Sequence, residues 1–205
     1  KRLTMNQIFR RSALAVAVLI GINVIILPSI SSAATKIDLG TSSSFGVLAH
    51  TTVTSTGATT ITGTAGNMVG VSPGSAVTVT GTLSAGTTVT GATAPGPAAK
   101  FDAQAAYTAG KNQTPFTSLV QTDLGGGTVL TAGHYTMSAA TESLTGNLTL
   151  DGGNNPAAVF IFDTAAILAT ANSSTISLTN GAQACNVFWL IGSSASLGTN
   201  SSFVG

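Results

Sequence analysis

Charge is what this chain has least of. Of its 205 residues, 7 are Lys or Arg and 6 are Asp or Glu, so charged residues make up 6% and the formal net charge is +1. No basic patch exists to hold nucleic acid or an anionic membrane surface, so neither is an expected partner. Cysteine is nearly absent too. Cys185 stands alone, which excludes a disulfide within the chain. Trp189 is the single tryptophan. A sugar-cleaving β-helix would line its groove with several charges and aromatics, and this chain offers few of either. Low charge combined with 43% hydrophobic residues is not the composition of a disordered chain. The excess lies in Thr, Ser, Gly, Ala and Val, which suits short strands and tight turns. The length suffices for one domain with a sizeable core.

Catalytic and metal-binding patterns are missing as well. Asp38, Asp102, Asp123, Glu142, Asp151 and Asp163 form no close pair in sequence. Asp151 sits in a Gly/Asn turn and Asp163 follows an apolar run, so both read as turn or capping residues. His50 and His134 are isolated, without the spacing of metal ligands. The one Gly-x-Ser-x-Gly string, within GVSPGS at 70–75, reads as a turn rather than a nucleophile elbow. The LGGG stretch from Leu124 lacks the Gly-Lys-Ser/Thr ending of a phosphate loop. The expectation is a protein that is not an enzyme and takes no cofactor and no metal.

Residues 1–34 read as a secretory signal peptide. Lys1, Arg2, Arg10 and Arg11 form a positive start, Ala13 to Leu27 is the apolar stretch, and Ser31–Ala34 offers small-residue cleavage sites. The apolar run is shorter than the roughly 20 residues of a spanning helix. The mature domain, 35–205, is then expected outside the cell or on its surface, free of the membrane once the leader is cleaved.

Residues 146–205 repeat at a spacing of 28, the sign of a solenoid or array. Leu148 and Leu150 fall on Ile176 and Leu178, and Val159–Phe162 falls on Val187–Leu190. Three short strands per repeat follow: Asn147–Leu150 with Thr175–Leu178, Val159–Phe162 with Val187–Leu190, and Ile167–Ala169 with Ala195–Leu197. Cys185 falls on Ala157 and reads as a small residue near a strand start. Successive side chains alternate faces, so Leu148, Leu150, Ile176 and Leu178 point inward while Asn147, Thr149, Thr175 and Ser177 point outward. The second strand is apolar on both faces and needs a cover. AAKFDAQAAYTAG, at 98–110, is the one convincing helix, and it is the natural cover, with Phe101 and Tyr107 helping to pack it. Upstream, Phe45–Ala49, Thr51–Ser55 and Thr59–Thr62 read as strands and 70–75 as a turn. The fold class expected is mostly β: a β-helix of about three short strands per coil, with one long α-helix, at about 98–109, packed along one face.

Rows of outward Thr, Ser and Asn admit two readings. Any solenoid needs a polar outer face, and Thr favours strands. A flat, uncharged row of short hydroxyl side chains is also a rigid, half-apolar lattice that can order water. Its spacing is roughly 4.7–4.9 Å across strands and about 6.6–6.8 Å along them. Threonine's stiff χ1 leaves little entropy to lose on a solid surface.

The motifs IDLGTSSSFGVLAHTTVT (37–54), GVSPGS (70–75), AxxFDAQAAY (98–107), DLGGGTVLTAGHY (123–135), LTGNLTLDG (144–152) and NGAQACNVFWLIGSSASLGTNSSFVG (180–205) together cover the chain from 37 onward. On these the sequence resembles the microbial ice-binding protein family. The resemblance implies a discontinuous, right-handed β-solenoid with a flanking helix and one flat face that binds ice. It also implies further coils beyond the FVG motif, so the chain, which starts at Lys1, reads as a C-terminally truncated fragment. The residues expected at the ice face are Asn147, Thr149, Thr175 and Ser177, joined by Thr52 and Thr54. Ser194 and Ser196 on the third strand come next.

The function expected is that of a secreted monomer whose partners are the ice crystal surface and its ordered water, slowing growth or recrystallisation. The competing class is a cell-surface adhesin or envelope solenoid that binds a protein or glycan. Exposed aromatics on the flat face would favour a glycan; small Thr, Ser and Ala favour ice.

Overall fold

The computed structural model describes residues 34–61 and 66–205, with the backbone alone for 56–59. The predicted leader, apart from Ala34, lies outside the described residues. Among those described, no helix is long and apolar enough to cross a membrane.

Among the described residues, fifteen strands and one α-helix make a mostly β protein in which every ladder is parallel. The first block holds β1 (Phe45–Ala49), β2 (Thr52–Thr60), β3 (Met68–Val71), β4 (Ala76–Ser84) and β5 (Thr88–Thr90). It forms a β1-β3-β5 sheet and a β2-β4 sheet. Helix α1 (Gly96–Lys111) follows. The second block holds β6 (Thr117–Leu119), β7 (Thr128–Thr131), β8 (Gly133–Met137), β9 (Thr141–Leu144), β10 (Asn147–Asp151), β11 (Phe160–Thr164), β12 (Ile167–Thr170), β13 (Thr175–Thr179), β14 (Val187–Ile191) and β15 (Ala195–Ser196). Its chain visits three sheets in rotation: β6-β8-β11-β14, then β9-β12-β15, then β7-β10-β13.

The interior follows from alternation along these strands. Leu148, Leu150 and Ile176 are buried on one side of β10 and β13. Phe160 and Phe162 enter the same core from β11. In-register pairing stacks like on like, and an aromatic column results. Tyr135, Phe162, Trp189 and Phe203 follow one another with ring centroids 5.6, 4.2 and 5.0 Å apart. The Trp189 indole N–H donates to the Val204 carbonyl at 2.9 Å, so its polar edge is satisfied inside the core.

The repeat is less uniform than a constant shift of 28 implies. β10 pairs with β13 at 28, Asn147 on Thr175, but β11 pairs with β14 at 27, Phe160 on Val187. The reason is loop length. Residues 152–159 join β10 to β11, while 180–186, one residue fewer, join β13 to β14 through the 3-10 turn Ala184–Asn186. Cys185 sits in that turn, just ahead of β14, and is exposed.

Helix α1 covers the apolar outer face of β11 and β14. Ala106 packs with Val159, Ile161 and Leu190, and half-buried Tyr107 and Phe188 join them. Phe101 does not help: it is 73% exposed. The buried stripe of the helix is Gly96, Ala99, Ala106 and Gly110 instead. Small residues let the helix axis approach the sheet. A Cβ on Gly110 would come within 2.7 Å of Ile37 and Leu190 side chains, and one on Gly96 within 3.4 Å of Val89. The helix therefore spans both blocks, its start over β3 and β5 and its end over β14. Lys111 closes that end with an ion pair to Asp163 at 3.1 Å, so Asp163 is a strand residue with a partner rather than a turn residue. Asp102, higher on the helix, accepts from the Thr41 amide at 2.7 Å and the Thr41 hydroxyl at 2.5 Å.

Candidate functional site

Six residues are expected on one face, with Ser194 and Ser196 next on another, and the structure distributes the eight over three separate sheets and their margins. Thr52 and Thr54 are in β2, paired only with β4. Asn147, Thr149, Thr175 and Ser177 are in β10 and β13. Ser196 is in β15 beside Ala169, and Ser194 lies just before it, its carbonyl accepting from Leu168 N at 3.0 Å. Chain order explains the split. The chain leaves the helix-covered sheets into β2 and β4 in the first block, and into β9, β12 and β15 in the second. Thr52 and Thr54 share no ladder with Ser196. They do not join the Asn147 row.

The β2-β4 sheet is the most regular of the three. Nine consecutive residues pair in register, from Thr52 on Ala76 to Thr60 on Ser84. The strands carry Thr or Ala at alternate positions, and on the other parity Val53, Val77 and Leu83 are half-buried while Val79 stays 41% exposed. Thr52, Thr54, Ala76, Thr78, Thr80, Thr82 and Ser84 are all exposed. Thr54 sits directly across from Thr78. The hydroxyls of Thr52, Thr54, Thr78, Thr80 and Thr82 have no hydrogen-bond partner among the described residues. No Asp, Glu, Lys or Arg occurs between Leu39 and Ala99. Thr78, Thr80 and Thr82 are absent from the sequence-based set. The signal that reveals them is a second spacing, 24 residues, which lays TVTSTGATT on AVTVTGTLS.

The outer face of β7, β10 and β13 is different. Asn147 is a hub: its Nδ2 donates to Thr149 Oγ1 at 3.0 Å and its Oδ1 accepts from Ser177 Oγ at 2.8 Å. Thr179 Oγ1 donates to the Leu150 carbonyl at 3.3 Å. At one margin Asp151 accepts from Gly153 N at 2.8 Å and from Asn180 Nδ2 at 2.9 Å. Those bonds, the backbone one foremost, hold its carboxyl below the ordinary value. Val129 adds an exposed apolar side chain. The β9-β12-β15 face is smaller, presenting Thr141, Ser143, Ile167, Ala169 and Ser196 outward, while Glu142 and Leu168 point inside.

His134 is buried on β8, its Nδ1 bonded to the Gln113 carbonyl at 2.8 Å, and His50 is exposed. Among the described residues no group of three His, Cys, Asp or Glu could hold a metal ion.

A family model described as ice-binding-like matches residues 47–205. The chain belongs to the ice-binding-like family. It is 43% identical over 173 residues to an ice-binding protein of Nostoc sp. (strain HG1), covering 82% of this chain and 60% of that protein. It is 32% identical over 189 residues to an ice-binding protein of Flavobacterium frigoris (strain PS1), covering 82% of this chain and 63% of that one. The chain thus spans less than two thirds of the length of either relative. The crystal structure of an ice-binding protein from the Antarctic ascomycete Antarctomyces psychrotrophicus superposes with a TM-score of 0.71 at 38% identity, over 82% of this chain and 79% of that one. The family match spans all three candidate faces, β2-β4 included.

Proposed function

We propose that this protein is a secreted, non-enzymatic, monomeric ice-binding protein that adsorbs to ice through the β2-β4 face and slows growth or recrystallisation. In this reading the parallel sheets are the sides of a right-handed β-solenoid with about three short strands per coil. The relatives named above are ice-binding proteins, and the signal-like leader supports export.

The observation that carries the choice of face is the free, charge-free Thr array. Thr52, Thr54, Thr78, Thr80 and Thr82 present hydroxyls that no protein group uses among the described residues. Each is available to water held in a lattice, while the threonine methyls favour release of disordered water. The backbone ladder beneath is stiff, and each χ1 is restricted, so docking orders little that is not ordered already. Adsorbed molecules pin the ice front between them. The flat face carries no aromatic side chain; Phe101 and Phe116, the exposed aromatics, lie on the helix and beyond its end, which weighs against a glycan-binding adhesin.

Growing an ice hemisphere in a solution of the full chain tests the reading. The protein should be enriched in the ice fraction. Exclusion of folded protein to the liquid, as for an ordinary solute, would sink it.

A further inference from the structure

Beside the helix, away from every face described above, lies a cleft of about 310 Å³. Leu48 and its neighbour Ala49, from the end of β1, form an apolar floor. Lys100, Ala103, Gln104 and Tyr107 line the wall from α1, spaced so that one stripe of the helix faces the cleft. His50 and Ser72 complete it. Small Ala103 leaves the space open.

Apart from Tyr107, which Lys111 engages, the polar groups here are unused among the described residues. Ser72 is 2% exposed, yet its hydroxyl has no hydrogen-bond partner among the described residues. Lys100 has no ion pair, and the Gln104 amide and His50 ring are unpartnered among the described residues. No acidic residue lines the cleft. One cation, neutral donors around it and an apolar floor match a ligand with a single negative charge on a compact body. A phosphate dianion would want more cations or a cradle of backbone N–H groups.

We propose that this cleft binds a small carboxylate, with Lys100 pairing the charge, Ser72 and Gln104 donating to its oxygens, and Leu48 packing on its carbon body. The carboxylate comes either from a free organic acid or from a uronic acid sugar, and the two are separable by experiment.

Amide NMR titration of the full chain with sodium acetate and with sodium glucuronate, against sodium chloride at matched concentration, tests it. Saturable shifts centred on 48–50, 72 and 100–104 are expected for at least one acid. Lys100→Gln should weaken that binding about tenfold, the loss of one charge-assisted bond, and Ala103→Leu should abolish it by filling the cleft. Tighter binding of glucuronate marks a sugar acid, and tighter binding of acetate a free one. Shifts that match chloride, or that persist unchanged in Lys100→Gln and Ala103→Leu proteins with otherwise parental spectra, would overturn the site. Lys100→Gln is a surface change, so the test does not depend on how the core tolerates Ala103→Leu.

Discussion

The β2-β4 and β10-β13 sheets carry similar side chains and differ in what those side chains are bonded to. On β10-β13 most polar atoms are spent on one another: Asn147 ties Thr149 to Ser177, and Asp151 is held by Gly153 and Asn180, while the Thr175 hydroxyl has no partner among the described residues. On β2-β4 the threonine hydroxyls are free among the described residues. The packing beneath differs in the opposite sense. Leu148 and Leu150 are fully buried under β10, whereas Val53 and Val77 are half-buried under β2 and β4. In the proposed reading one sheet holds the fold together and the other meets the ice. Polarity alone does not distinguish them; hydrogen-bond accounting does.

The largest effect expected to break this comparison is a charge in the middle of the free array. Thr80→Lys places a strongly hydrated ammonium on the flat face. Ice recrystallisation inhibition should then need at least about tenfold more protein, the consequence of roughly 1.4 kcal/mol of lost adsorption. Core truncation should separate the sheets next, by urea unfolding. Leu148→Ala should cost about 2–5 kcal/mol, and Val53→Ala less than half of that because its side chain keeps solvent contact. Asn147→Ala should cost about 1 kcal/mol, the net worth of the bonds it makes, and leave inhibition per folded molecule unchanged.

Acid gives a smaller and more selective test. Asp102, through its Thr41 hydroxyl and amide bonds, and Asp151 have carboxyls held below the ordinary carboxylate range. Depressed carboxyls contribute stability above the unfolded value and lose it as pH falls through the folded one. Melting temperature should therefore drop as pH is taken below about 4, and Asp102→Asn should flatten part of that drop. The β2-β4 face has no acid or base, so inhibition per folded molecule should stay level over the same range. A parallel fall in both would mean that a charged face is the working one.

Much of this fold is legible in the residues. Phe45–Ala49 is a strand to the residue, and α1 extends the expected helix by about two residues at each end. Local alternation and helix propensity suffice there. The helix's packing face was not legible by size. Phe101 and Ala105 share a solvent stripe, while the sheet takes Ala99, Ala106 and Gly110, because close approach selects small side chains. Thr51–Ser55 and Thr59–Thr62 read as two strands, yet β2 is continuous from Thr52 to Thr60, since pairing with β4 carries the ladder across Gly57, opposite Gly81. Thr52 and Thr54 were recognisable as surface threonines, but their sheet was not. The 28-residue period belongs to the second block, and the 24-residue spacing that joins β2 to β4 is a different, local one. Bond usage at Asn147 and Ser177 depends on cross-strand geometry that no single strand's sequence contains.

The most direct test sets Thr78→Tyr beside Thr149→Tyr, both in the full chain, both checked for parental folding, with ice recrystallisation inhibition as the readout. A bulky ring on each face should abolish inhibition in Thr78→Tyr and spare it in Thr149→Tyr. Loss in Thr149→Tyr with Thr78→Tyr unaffected would contradict the account and move the ice-contacting surface to β10 and β13.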